Sequence, residues 1–144
     1  MESAGARFGV EIVTMMVQND SDIDAAIMEL ARRPGSGLAT VPDTFLLERR
    51  DLIVGLAGRL RLPAVYGNLY YMQSGGLMAY AVDQIDTMYR AADYVDRILR
   101  GARPADLPVQ QPKRFRLTIN ANVAKALGLT IPLTLLATAD EVIQ

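Results

Sequence analysis

Apolar and polar positions alternate with two different periods along this chain, and the switches between them outline an α/β protein. Gly9–Gln18 (GVEIVTMMVQ) is a short apolar run rich in β-branched residues, followed by the capping candidates Asn19, Asp20 and Ser21, which predicts a buried strand feeding a helix. From Asp22 to Arg33, Ile23, Ala26, Ile27 and Leu30 form one helical stripe that stops at Pro34-Gly35-Ser36-Gly37. Leu38–Val41 predicts the next strand. Thr44–Arg61 predicts a second helix with Ile53, Leu56, Ala57 and Leu60 on its inner face, ending before Pro63, and Pro63–Tyr66 predicts a third strand. Three strands separated by two helices, with connections this short, close as right-handed βαβ crossovers. The expected fold class is therefore α/β, a three-layer, Rossmann-like parallel sheet flanked by helices.

Beyond Tyr66 the pattern changes. Asn68–Ser74 is polar and aromatic, Ser74-Gly75-Gly76 is a turn, and Leu77–Val82 (LMAYAV) is another strand candidate. A helix is predicted from Ile85 to Arg100, with Met88, Ala92, Val95 and Leu99 on one face and Gly101 as its stop. Ala102–Arg114 holds Pro104, Pro108 and Pro112 and predicts an extended surface connector. Phe115, Leu117 and Ile119 then alternate with Arg116, Thr118 and Asn120, as a half-buried strand requires. Asn120–Leu127 predicts a short helix closed by Gly128, and Pro132–Ile143 a last one. All 144 residues are expected to form one domain.

Composition narrows the function mainly by exclusion. The chain has no Cys, His or Trp, which removes disulfides, thiolate and Ser-His-Asp chemistry and nearly every transition-metal site, so no metal, cofactor or catalytic residue is expected. Net charge is −1, and the 15 basic residues are scattered, with Arg32–Arg33 and Arg49–Arg50 the obvious pairs. A nucleic-acid partner would call for a basic face, and none is evident. The two Arg pairs are expected to be solvated helix faces or ends. Neither a dinucleotide-type nor a P-loop glycine pattern occurs. Met1–Gly9 lacks the layout of a signal peptide, so either the chain is not exported as written or the front of a longer protein is missing.

Five segments taken together carry a resemblance. Arg61–Tyr66 (RLPAVY), Gly75–Tyr80 (GGLMAY), Ala91–Gly101 (AADYVDRILRG), Ala102–Pro112 (ARPADLPVQQP) and Ala124–Pro132 (AKALGLTIP) resemble, in order and spacing, the C-terminal half of the ABC transporter substrate-binding family that includes tryptophan- and tyrosine-binding lipoproteins. The resemblance implies one lobe and the hinge of a type I periplasmic-binding protein, which grips an amino acid or similar small solute without catalysis and presents it to a membrane permease. An aromatic or hydrophobic amino acid is the favoured ligand. By the same resemblance the location is periplasmic or lipid-anchored outside the cytoplasm, or cytoplasmic if Met1 is the true start. A full family member is about twice this long, and Leu77–Val82 resembles a strand that crosses between lobes. The Met88/Ala92/Val95/Leu99 stripe would then lack a partner, which leads us to expect a homodimer through that face. The alternative is a truncated, self-associating domain that binds nothing. A small α/β enzyme is a third reading, disfavoured by the missing chemistry.

Ligands of open α/β sheets sit outside the carboxyl ends of the strands, which selects the candidate binding residues. Asp43 and Thr44 follow the second predicted strand, with Asp43 either meeting a ligand ammonium or capping the next helix. Tyr66 either stacks on a flat solute or lies in the core. Of Tyr70 and Tyr71, one is expected to face the cleft; Tyr71 is the choice carried forward. Gly75 and Gly76 allow close backbone approach or simply make a turn. Tyr80 is expected at the cleft edge, followed by Ala81 where the family commonly has glycine.

Overall fold

A computed structural model describes residues 2–144, with side chains from Gly5 onward. After a short α1 (Glu2–Arg7) come α2 (Asp20–Ala31), β1 (Leu38–Ala39), α3 (Thr44–Glu48), α4 (Arg50–Arg59), β2 (Ala64–Tyr66), α5 (Tyr70–Gln73) and β3 (Met78–Val82). The chain continues through α6 (Gln84–Leu99), a 3-10 turn (Pro104–Asp106), β4 (Phe115–Asn120), α7 (Ala121–Ala126), α8 (Leu133–Thr138) and β5 (Glu141–Ile143). The strands form one sheet in the order β1-β2-β3-β4-β5. Pairs β1–β2, β2–β3 and β4–β5 are parallel and β3–β4 is antiparallel. The α/β fold, a Rossmann-like sheet flanked by helices, is as expected, with one strand reversed.

Strand alternation gives the sheet two unlike faces. Ala64, Tyr66, Ala79 and Ala81 are buried. On that face Ile23 and Ile27 of α2, Ile53, Leu56 and Ala57 of α4, and Tyr71 of α5 complete the core with Ala64, Tyr66 and Ala79. The opposite face carries Val65, Met78, Tyr80, Val82, Phe115, Leu117 and Ile119, since Met78 pairs with Val65 and Ile119, Tyr80 with Leu117 and Val82 with Phe115; Ile119 is buried there. Val65, Tyr80 and Phe115 are exposed there.

Local chemistry explains where the helices start and stop. Asn19 caps α2 by accepting from Asp22 N at 3.0 Å, while the Asp22 carboxylate takes the Gln18 N–H at 2.9 Å, a reciprocal box at the helix entry. The α4 terminus closes with Leu62 N donating to Ala57 O and Arg61 N to Gly58 O, with Arg61 at φ +52, so an arginine occupies the left-handed position that glycine usually holds. Gly101, at φ +100, ends α6 in the same way.

Three expectations need correction. Gly9–Gln18 forms no strand and pairs with none among the described residues; Val10, Val13 and Met16 are exposed, and Val17 packs against the core. An apolar run becomes a strand only where a ladder partner exists, so the three successive parallel strands are β1, β2 and β3 instead. The single helix expected over Thr44–Arg61 is two, divided at Arg49 (φ −102, ψ 17), whose guanidinium lies over the Phe45 ring and donates to Asp20 of α2. The helix expected over Pro132–Ile143 stops at Thr138, and Glu141–Ile143 adds to the sheet beside Thr118–Asn120.

Candidate functional site

The carboxyl ends of β1 and β2 open side by side, and their following loops are tied together. Thr40 Oγ1 accepts from Gly67 N at 3.2 Å. A Cβ on Gly67 would stand 2.9 Å from Pro42 N and Thr40 O, so only glycine lets the second loop lie this close to the first. Asp43 and Thr44 are exposed on the rim. Asp43 caps α3 by accepting from Leu46 N at 3.0 Å, leaving its other carboxylate oxygen available at the mouth. Asn68 Oδ1 accepts from Tyr70 N at 3.0 Å and shapes the second loop.

Beneath this rim lie two tyrosines. Tyr66 and Tyr71 are each 1% exposed. Burial pushes the Tyr66 hydroxyl well above the usual tyrosine range, with Tyr71 adding to the effect. Tyr71 is also raised, by burial first; the nearby Thr40 hydroxyl and Arg50 pull it down and the Asp43 carboxylate pushes it up. Although Thr40 is close, no donor–acceptor geometry completes a hydrogen bond, and the Tyr71 hydroxyl is buried without a partner. Both rings therefore form the floor beneath the rim.

The remaining predicted residues are Gly75, Gly76 and Tyr80. Gly75 (φ +85) and Gly76 precede β3, away from the carboxyl ends. Gly75 makes the turn, and a Cβ on Gly76 would meet Tyr66 Cε2 at 2.8 Å. Tyr80 is exposed on the opposite sheet face, its ring stacked on Phe115 with centroids 5.4 Å apart. Asp43 and Thr44 thus stand on the rim with Tyr66 and Tyr71 in the core below, Gly76 packs against those two tyrosines, and Gly75 and Tyr80 are not part of that group.

Beside the rim, Thr44, Leu47, Glu48, Arg50, Tyr70 and Gln73 line an open groove of about 370 Å³. Arg50 Nε is buried in it without a hydrogen-bond partner. Its place in the groove was not legible in the sequence, where Arg49–Arg50 reads as a solvated pair; the Arg50 side chain is 37% exposed, with its Nε 3.9 Å from Asp51. The roles of Thr40 and Gly67 were missed as well, and the glycine directly after a strand was the available signal.

With β1, β2 and β3 parallel and their carboxyl ends open, the fold is that of a periplasmic-binding-type domain. The chain belongs to the ABC transporter substrate-binding protein family, whose model matches residues 1–143. A conserved domain protein from Vibrio cholerae is 26% identical, with a TM-score of 0.84 over 97% of this chain and 47% of that one. The ABC domain from Streptococcus pneumoniae solved in complex with L-Trp is 23% identical, with a TM-score of 0.85 over 99% of this chain and 49% of that one. A ligand-free, open substrate-binding protein with adhesive properties from Clostridium difficile is 16% identical, at a TM-score of 0.69, over 99% of this chain and 47% of that one. The chain thus spans about half the length of each of these structures. Among curated proteins no relative matches. No helix of the described residues is long and apolar enough to cross a membrane.

Proposed function

We propose that this chain is the solute-gripping lobe of an ABC uptake system, holding an amino acid or similar small solute at the carboxyl ends of β1 and β2. The observation that carries the proposal is the rim itself: an exposed Asp43 carboxylate beside two loops lashed together through Thr40 and Gly67. That carboxylate suits the ammonium group of an amino acid. The L-Trp bound by the S. pneumoniae structure supports an aromatic or hydrophobic side chain. Binding without bond-making fits the family's place as a transport component, with an ABC permease as the downstream partner and an extracytoplasmic location. The solute's other contacts would come from a second lobe or a second copy, and the reading includes a homodimer through the Met88/Ala92/Val95/Leu99 face. The alternative, a self-associating domain without a ligand, draws on the same helix, because α6 buries none of its residues.

The test is a thermal-unfolding screen against amino acids and small carboxylates at two protein concentrations. A solute at about 100 times its dissociation constant adds about 2.7 kcal/mol, which moves the midpoint by several degrees in a domain of this size. Asp43→Asn keeps the α3 cap and removes the charge, so it should leave the unliganded midpoint in place and abolish the shift. No shift with any solute would favour the alternative.

A further inference from the structure

Arg50 carries a charge that its own chain leaves largely unanswered, and it does so in a concavity. Among the described residues its one hydrogen bond runs from Nη1 to Leu47 O, at 3.5 Å the outer edge of such a contact. Nε is buried without a partner. The nearest carboxylate, that of Asp51, stands 3.9 Å from Nε and already accepts from the Ser74 hydroxyl. Arg49, one position earlier, shows the contrast: its guanidinium lies over Phe45, pairs with Asp20 and stands 3.7 Å from Glu48. A guanidinium offers five donors in a fixed plane, and setting its charge in a partly desolvated place without an anion is costly.

The groove around Arg50 offers several kinds of contact. Thr44, Leu47 and Glu48 line it from α3, and Tyr70 and Gln73 from α5. At about 370 Å³ it falls in the size range of small-molecule sites. Thr44 joins the groove to the rim, because Asp43 directly precedes it. A second unpartnered donor, the Tyr71 hydroxyl, lies in the floor. Asp43 and Arg50 both bias its ionisation, in opposite directions, so a carboxylate and a guanidinium are gathered around one tyrosine. Glu48 brings a 71% exposed carboxylate to the groove, with Arg49 as its counter-charge. A phosphate or a dicarboxylate therefore meets Asp43 and Glu48 along with Arg50, whereas a molecule that carries a carboxylate and an ammonium answers both signs.

Resting on the solute-gripping reading above, we infer that Arg50 is the carboxylate-recognising residue of this lobe: a zwitterionic α-amino acid enters the α3/α5 groove from the rim, its ammonium at Asp43 and its carboxylate on the Arg50 guanidinium. A guanidinium takes a carboxylate through two parallel N–H···O bonds, which fixes orientation as well as affinity. Leu47 and the exposed Tyr70 ring offer the solute's side chain an apolar wall in the same groove. An amine that lacks the carboxylate leaves the guanidinium donors unpaired and is rejected.

The experiment is calorimetric titration of the wild-type chain, Arg50→Gln and Arg50→Lys with L-tryptophan, L-leucine and the corresponding amides, which keep the ammonium and lose the carboxylate charge. Melting curves check that each variant is folded, and Arg50→Lys, which retains the charge and the aliphatic stem, carries the test where Arg50→Gln unfolds. Wild type is expected to prefer the amino acid it binds over its amide by about 10- to 100-fold, the worth of a hydrogen bond to a charged group. Arg50→Gln is expected to lose that preference by weakening the amino acid alone, with amide affinity unchanged. Arg50→Lys, a point charge without the planar fork, is expected to keep part of it. A variant that weakens amino acid and amide equally gives Arg50 a structural role and overturns the inference, and so does Arg50→Gln binding the amino acid at wild-type affinity; in both cases the solute-gripping reading stands. Wild type that binds neither amino acid overturns that reading and this inference with it.

Discussion

Tyr66 and Tyr71 stack face to face, with ring centroids 4.5 Å apart and planes 8° from parallel, directly beneath the rim that carries Asp43. One ring comes from the end of β2 and the other from α5, so this single contact ties the loop after the strand to the sheet it leaves. The pair converts a stretch that reads as polar and aromatic into a rigid floor, and solute recognition falls to the rim above it.

The two tyrosines should respond differently to truncation than to loss of the hydroxyl. Tyr71→Ala removes a fully buried ring and should cost about 3–5 kcal/mol. Tyr71→Phe removes a hydroxyl that is buried without a partner, so stability should hold or rise by up to about 1 kcal/mol. Urea unfolding of both variants checks the contrast, and a large loss for Tyr71→Phe would mean the hydroxyl has a partner.

Two glycines are fixed by contact rather than by backbone angle. Gly67→Ala would press a methyl group against Pro42 N and Thr40 O at 2.9 Å, and Gly76→Ala would press one against the Tyr66 ring and Tyr71 O at 2.8 and 2.9 Å. Backbone atoms yield little, so each should lose about 1–3 kcal/mol. Gly67→Ala should in addition weaken solute binding, because it parts the two rim loops; Gly76→Ala should leave affinity nearly unchanged. Melting and titration of both variants separate the two effects.

How far the sequence was legible follows from the range of the forces involved. α2, α6, β2, β3 and β4 were readable because their periodicity, caps and stops lie within a few residues: Asn19 before α2, Gly101 after α6, alternation through Phe115–Ile119. The ends were not. Glu141–Ile143 is a strand only because Thr118–Asn120 offers it a parallel edge, and no local pattern announces that pairing. Gly9–Gln18 has the composition of a strand but no partner among the described residues. Within the site, Asp43 was chosen from its place after a strand, whereas the division of α3 from α4 at Arg49, where Arg49 meets Phe45 and Asp20, has no local signal. Tyr80 followed from the resemblance, and its place on the other sheet face is set by register with β4.

Asp83 anchors the start of α6 through its cap more than through its charge. Its side chain is 10% exposed, but Arg114 opposite is 65% exposed, so solvent screens the ion pair. Asp83→Asn retains an accepting oxygen for Ile85 N and Asp86 N and should change stability little. Asp83→Ala should cost about 1 kcal/mol and speed hydrogen exchange in the first turn of α6. Equal losses for the two variants would assign the effect to the Arg114 pair instead.

Alkaline pH should unfold this protein through its floor. Both buried tyrosines have folded-state pKa values raised, chiefly by burial, whereas in the unfolded chain each ionises near the usual value of about 10. Below that pH both states hold the proton and stability is independent of it. As pH rises past about 10 the unfolded chain loses protons that the folded chain keeps, so the unfolded state binds fewer protons and stability falls with pH. The loss should set in above pH 10 and deepen towards the folded-state values. Tyr66→Phe with Tyr71→Phe should flatten the decline, measured as unfolding midpoints between about pH 8 and pH 11.5. An unchanged slope in the double variant would overturn the assignment to these two buried tyrosines.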